Sequence, residues 1–198
     1  VLVLSRTVPD FKAMLLSVPF FHATGTMAIM IPNIMSGGKI VMQRRWDVDA
    51  ALPLIEKERI NSAGGVPTIA WQILEHPKFN DYDLSSLETV SYGGAPSAPE
   101  LVKRIQERFP KVQPGQGWGM TETSATAVSN FGEDYKRKPS SCGVPAATGE
   151  AKIVDANGKE LPVGDVGELW YKGPTVVRGY WNKPEATAET FVDGWEKT

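Results

Sequence analysis

The chain has 198 residues, 41% hydrophobic and 22% charged, a balance that calls for a packed core and excludes an intrinsically disordered chain. Its formal net charge of −2 gives no electrostatic footprint for nucleic acid or for an acidic membrane surface, and the short basic runs Arg44-Arg45 and Lys136-Arg137-Lys138 read as solvated loops. The single cysteine, Cys142, can make no internal disulfide, which favours a reducing compartment and a cytoplasmic location.

Residues 1–4 are apolar, but Ser5, Arg6 and Asp10 follow too soon for a secretory signal. The most apolar stretch, 27–35, is too short to span a bilayer and contains Pro32. A buried strand is expected over 14–21, ending at His22-Ala23-Thr24-Gly25, then a helix over 26–35 closed by Gly37-Gly38. Residues 39–43 are strand-like. Asp47 offers an N-cap to a helix whose apolar positions are Ala51, Leu54, Ile55 and Ile60. A strand over 62–66 precedes a helix over 68–75, stopped by Pro77 and ending in a surface cap at His76. Next come a strand over 89–92, a turn at Gly93-Gly94-Ala95-Pro96, and a helix capped by Ser97 that runs to Phe109, with Leu101, Val102, Ile105 and Phe109 on one face.

After Pro139 the texture changes. Residues 151–162 read as a hairpin turning through Asn157-Gly158, a type I′ signal, and 168–172 and 176–180 as short strands. Strands alternating with helices argue for βαβ units and a mostly parallel sheet. The expected architecture is therefore α/β: an α/β subdomain over 1–145, followed by a small β subdomain that starts at 146 and stops without a closing element.

Four stretches carry the chemistry: Pro19-Phe20-Phe21-His22-Ala23-Thr24-Gly25; Tyr92-Gly93-Gly94-Ala95-Pro96; Gln116-Gly117-Trp118-Gly119-Met120-Thr121-Glu122-Thr123; and Gly167-Glu168-Leu169 with Gly179-Tyr180-Trp181-Asn182-Lys183-Pro184-Glu185-Ala186-Thr187. In the third, a glycine on each side of an aromatic lets backbone and ring approach a flat ligand. The Thr121 hydroxyl can donate to a phosphate oxygen, and Glu122 offers a hard carboxylate oxygen to Mg²⁺; the plain alternative is a Thr-Glu pair opening a helix. The second stretch lies between a strand and a helix, where ligands sit in open α/β sheets, although an ordinary glycine turn reads the same way.

Together and in order, the four stretches resemble the superfamily of adenylate-forming enzymes, and within it the acyl-CoA synthetases. The resemblance implies that Thr121 and Glu122 contact nucleotide phosphate and metal. It implies that Gly93, Gly94, Ala95 and Pro96, with Gln116, Gly117, Trp118, Gly119 and Met120, surround the nucleotide, Trp118 standing where the family usually has tyrosine. His22 matches a position between the adenylate and the thiol tunnel, and Glu168 an acidic position supporting the metal side. Residues Ile69, Ala70 and Ile73 follow a turn whose helix lines the family's acyl pocket, but core packing is the plainer reading.

The implied activity is ligation of a carboxylic acid to coenzyme A, with ATP and Mg²⁺, through an acyl-adenylate. A medium- or long-chain fatty acid is the expected substrate, the small residues Thr123-Ser124-Ala125-Thr126-Ala127 suiting an alkyl tunnel. The alternatives are an aryl-CoA ligase or, for the isolated chain, a non-catalytic nucleotide-binding module. The resemblance also disfavours amino-acid substrates: amino-acid-adenylating domains usually place an Asp shortly after the aromatic of the first stretch, and this chain has no acid between Phe20 and Asp47. No nucleic-acid partner and no transmembrane segment are expected; peripheral membrane contact is compatible with the sequence, and oligomeric state is left open. By resemblance, the family's phosphate loop lies before Val1 and its ribose-binding Asp and catalytic lysine after Thr198, so that the 198-residue chain alone is expected to be inactive.

Overall fold

The computed structural model describes residues 13–198; the apolar start at 1–4 lies outside them. Seven strands form the first sheet: β1 (Ala13–Leu16), β2 (Lys39–Met42), β3 (Ser62–Gly65), β4 (Thr89–Gly93), β5 (Gln113–Trp118), β6 (Val128–Phe131) and β7 (Val144–Pro145). Their spatial order is β2-β1-β3-β4-β5-β6-β7. Pairing is parallel from β2 to β5 and antiparallel from β5 to β7. The helices that make the parallel crossovers are α1 (Ile31–Met35), α2 (Val48–Glu58), α3 (Pro67–Leu74) and α4 (Pro99–Arg108). The α5 helix (Gly132–Arg137) follows β6. The mostly parallel α/β expectation is met.

Local chemistry explains the elements. Asp47 caps α2, its carboxylate accepting from the N–H groups of Asp49 and Ala50. At the end of α1, the Gly37 and Gly38 N–H groups bond back to Ile34 and Asn33 carbonyls, with Gly37 at φ 71, a Schellman closure. Ala51, Leu52 and Ile55 of α2, Ile69, Ala70 and Ile73 of α3, and Leu101, Val102 and Ile105 of α4 share one buried core with Leu15, Ala63 and Val90 from the sheet. Each large aliphatic side chain so buried contributes about 1.5–3 kcal/mol. Ile69, Ala70 and Ile73 are thus core residues. Leu52 takes the fully buried place expected of Leu54, which is only half-buried.

Several boundaries differ from expectation. β1 stops at Leu16, five residues early, and Pro19 then supplies the carbonyl for the His22 N–H. The following helix begins as a π-helical segment, Thr24–Met30, before becoming α1. Ser97 does not cap α4: Ala98 holds the N-cap position and Pro99, which needs no N–H partner, opens the helix. His76 is not a surface cap. Its side chain is 10% exposed, Nε2 reaching Asp49 of α2 at 3.2 Å while Nδ1 accepts from the Lys78 N–H.

The second sheet is antiparallel, in the order β10-β11-β9-β8, from β8 (Glu150–Val154), β9 (Glu168–Lys172), β10 (Phe191–Val192) and β11 (Trp195–Lys197). Trp195–Lys197, at the end of the given sequence, pairs with β9 as an antiparallel neighbour. The turn after β8 is not type I′, since only Gly158 of the Asn-Gly pair has positive φ. Asp155 organises it instead, its carboxylate accepting from the Asn157 and Lys159 N–H groups. Residues 176–180 form no strand: the Val177 N–H bonds to the Glu122 carbonyl, outside any sheet ladder. A short helix, α6 (Pro184–Thr190), was not anticipated.

Candidate active site

Period-two alternation sorts β4 and β5. Val90 and Tyr92 point into the helix-covered core, which leaves Thr89, Ser91 and Gly93 on the opposite face. Gly115 and Gly117 of β5 lie in register with Ser91 and Gly93. These small residues floor a cavity of about 620 Å³ that also meets the π-helical segment at Thr24 and Ala28 and the β5–β6 turn at Thr121 and Glu122.

Of the residues singled out in sequence, His22, Gly93, Gly94, Gln116, Gly117, Trp118, Gly119, Met120, Thr121 and Glu122 all border this cavity. Ala95 and Pro96 do not; they are exposed beyond β4. Glu168 lies elsewhere, its carboxylate accepting from the Trp170 indole at 2.8 Å on β9. Of the expected alkyl-tunnel residues, only Ala125 and Thr126 border the cavity. Thr123 is fully buried within the turn and Ser124 donates to the Thr175 carbonyl.

Thr121 and Glu122 do not open a helix. They ride on a tight turn between β5 and β6, braced from inside. The Thr123 hydroxyl accepts from the Met120 N–H at 2.9 Å and donates to the Ala125 carbonyl at 3.1 Å, while the Ala127 N–H closes on the Trp118 carbonyl. Ser124 (φ 54) and Ala125 (φ 83) take left-handed backbone to make the turn. Gly119 is required there, because a Cβ at that position would stand 1.5 Å from the Ala125 carbonyl oxygen. Gly25 serves the first motif likewise: its Cβ would meet the Pro19 carbonyl oxygen at 2.2 Å.

Tyr180 donates its phenol hydrogen to Glu122 Oε1 at 2.7 Å. The sequence offers the Gly179-Tyr180 motif but no role for Tyr180, since the two residues are far apart in the chain. His22 is exposed at the cavity rim; its Nδ1 accepts from the Thr24 N–H, which leaves Nε2 as the nitrogen open to a ligand. Beneath the floor, Tyr135 donates to Gln116 Oε1 at 2.6 Å, and the Tyr92 and Tyr135 hydroxyls lie 3.0 Å apart. Burial pushes both phenols above their ordinary range, so they act as neutral donors and acceptors.

Among the described residues no group of three or more His, Cys, Asp or Glu forms a metal cage. Glu122 alone still fits Mg²⁺, which typically takes one or two carboxylates together with substrate phosphates and water. No helix among the described residues is long and apolar enough to cross a membrane.

A mostly parallel α/β sheet thus carries a glycine-floored cavity beside a braced Thr-Glu turn. The AMP-binding enzyme family matches residues 4–181, and the chain belongs to that family of adenylate-forming enzymes. It is 36% identical over 195 residues to a feruloyl-CoA synthase of an Amycolatopsis species, covering 98% of this chain and 39% of the relative. It is 37% identical over 186 residues to the Arabidopsis thaliana 4-coumarate–CoA ligase-like 9, covering 93% of this chain and 33% of the relative. Among solved structures it resembles Bacillus subtilis o-succinylbenzoate CoA synthetase (MenE) in complex with ATP and magnesium, with TM-score 0.85 and 26% identity over 98% of this chain and 39% of that one. The N-terminal domain of Mycobacterium tuberculosis FACL13 gives TM-score 0.86 and 28% identity over 94% of this chain and 47% of that one. The chain thus spans about two fifths or less of the curated relatives' length.

Proposed function

We propose that the full-length protein carrying this chain is an acid–thiol ligase that activates an aryl or acyl carboxylate as its adenylate and transfers it to coenzyme A. The observation that carries this reading is the single cavity bordered at once by the Gly93-Gly94 turn, the 116–122 motif and His22. In the first half-reaction the substrate carboxylate attacks the α-phosphorus of ATP and pyrophosphate leaves. In the second, the coenzyme A thiol attacks the acyl carbon and AMP leaves.

The residues take the following parts. Gly93 and Gly94 admit the base close to the backbone, and Trp118 offers it a ring to stack on. Thr121, held out on the braced turn, donates to a phosphate oxygen. Glu122 would supply an oxygen to Mg²⁺, which would neutralise phosphate charge. His22 sits at the rim, where the thiol must pass to reach the acyl carbon. Catalysis of this kind rests on positioning and preorganised charge, and a turn fixed by its own hydrogen bonds suits that task. Ala95 and Pro96 are assigned to the outer edge of the nucleotide site.

For the acid, an aryl substrate is the reading favoured by the names of the most similar relatives and by the aromatic rings of Trp118 and Phe131 on the cavity wall. A medium- or long-chain fatty acid is the second reading, favoured by Met14, Ile29, Pro32 and Met35 along the same cavity. The subdomain division at 145/146 is kept as part of this proposal, the first sheet ending at Pro145 and the second starting at Glu150. Acid-dependent ATP–pyrophosphate exchange by the full-length protein, across hydroxycinnamic, fatty and amino acids, tests the assignment. Exchange with an aryl acid supports it and exchange with a fatty acid alone selects the second reading. ATP binding without exchange for any acid overturns both in favour of a non-catalytic nucleotide module.

A further inference from the structure

We infer that Tyr180 is the positioning residue that sets Glu122 for a divalent cation bound with nucleotide, and that residues 175–180 are the strap that carries it; this rests on the metal role proposed for Glu122. Three hydrogen bonds tie the strap to the turn: Tyr180 hydroxyl to Glu122 Oε1 at 2.7 Å, Val177 N–H to the Glu122 carbonyl at 2.8 Å, and Ser124 hydroxyl to the Thr175 carbonyl at 2.7 Å. One residue, Glu122, is gripped by both backbone and side chain.

The turn needs such a grip. Ser124 and Ala125 hold left-handed backbone that non-glycine residues keep only when their surroundings over-determine it. Tyr180 is in turn anchored at its root and along its ring. Its N–H donates to Thr187 Oγ1 of α6 at 2.9 Å, and its ring lies 5.6 Å from that of Phe191 in β10. Gly179 permits this approach, since a Cβ there would meet Thr187 Cγ2 at 2.4 Å.

A glutamate has three side-chain torsions, and an unbraced carboxylate rotates through them. A hydrogen bond to Oε1 fixes the group, so that a cation taken by Oε2 would find little ordering left to do at binding. This gives the Gly179-Tyr180 motif a task that the nucleotide contacts leave unassigned.

The test uses Mn²⁺ as a spectroscopic stand-in for Mg²⁺. The full-length protein with saturating ATP is titrated, and free Mn²⁺ is followed by electron paramagnetic resonance for wild type, Tyr180→Phe, Glu122→Gln and the double variant. Removing one charge-assisted hydrogen bond is expected to raise the Mn²⁺ Kd about 5- to 10-fold in Tyr180→Phe. In the Glu122→Gln background the same change is expected to add nothing further. Should Tyr180→Phe fail to fold, Ser124→Ala loosens the same strap, and an Mn²⁺ Kd raised about twofold or more by loss of that bond supports the inference. An unchanged Kd in the folded Tyr180→Phe variant, in Ser124→Ala where it stands in, or an equal loss in both backgrounds, overturns the positioning role while Glu122 keeps its metal assignment. If Glu122→Gln itself leaves Mn²⁺ binding intact, the metal assignment falls and the strap inference with it.

Discussion

Tyr180 and Glu122 are 58 positions apart in the chain, yet the phenol of one donates to the carboxylate of the other at 2.7 Å. The bond joins the segment after β9 to the turn between β5 and β6, at the residue proposed to hold the cation. Because Oε1 is already engaged, Glu122→Gln changes two things at once. It weakens the acceptor for Tyr180 and removes the negative charge offered to Mg²⁺. The full-length Glu122→Gln variant is expected to lose about 2–4 kcal/mol of adenylation, the scale of one preorganised electrostatic group. Pyrophosphate exchange at limiting Mg²⁺ measures it, and a wild-type rate there means Glu122 only braces the turn.

His22 gives a different signature. Its place at the cavity rim predicts that His22→Ala slows acyl-CoA formation from preformed adenylate more than it slows pyrophosphate exchange. The side chain is exposed and its one hydrogen bond is to the local Thr24 N–H, so the stability cost stays below about 1 kcal/mol. Single-turnover kinetics on isolated acyl-adenylate separate the two half-reactions. Equal slowing of both assigns His22 to holding the carboxylate.

How much of this was legible follows from the range of the signals. The parallel βαβ order, the Asp47 cap and the glycine closure of α1 are written in local patterns that need no partner elsewhere. The chemistry proposed for the 116–122 motif likewise rests on local residue types alone. Long-range choices were hidden: Tyr180 reaching Glu122, His76 reaching Asp49 and Val177 leaving the sheet for the Glu122 carbonyl all depend on segments brought together by the fold. Ala95 and Pro96, which resemblance gathers around the base, are exposed beyond β4, a placement that no local pattern gives.

The tyrosine chain under the cavity floor supports the site through Gln116, and Tyr92 itself borders the cavity. Tyr135→Phe removes the donor to Gln116 Oε1 and the partner of the Tyr92 hydroxyl. Leaving buried polar groups unpaired costs about 1–3 kcal/mol, and chemical denaturation measures this as a lower midpoint with unchanged slope. Tyr92→Phe should cost less, since Tyr135 keeps its bond to Gln116. A larger loss for Tyr92→Phe than for Tyr135→Phe contradicts that order of roles.

Glu196 gives the fold a pH dependence. It is fully buried on β11 and neither carboxylate oxygen has a hydrogen-bond partner among the described residues. Burial, with the negative charges of Glu122 and Glu168 adding to it, pushes its carboxyl up to about 7 from an ordinary 4.5. The folded chain therefore holds this proton more tightly than the unfolded chain does. Its contribution to stability is fully present below the unfolded value and is lost as pH rises from about 4.5 to about 7. Glu196→Gln removes the titration while keeping the shape. Thermal unfolding of the variant is expected to match wild type near pH 4.5 and to exceed it above pH 7, the gap opening between those limits. A gap that stays constant with pH means that Glu196 does not titrate in that window, and that its burial is relieved by a partner outside the described residues.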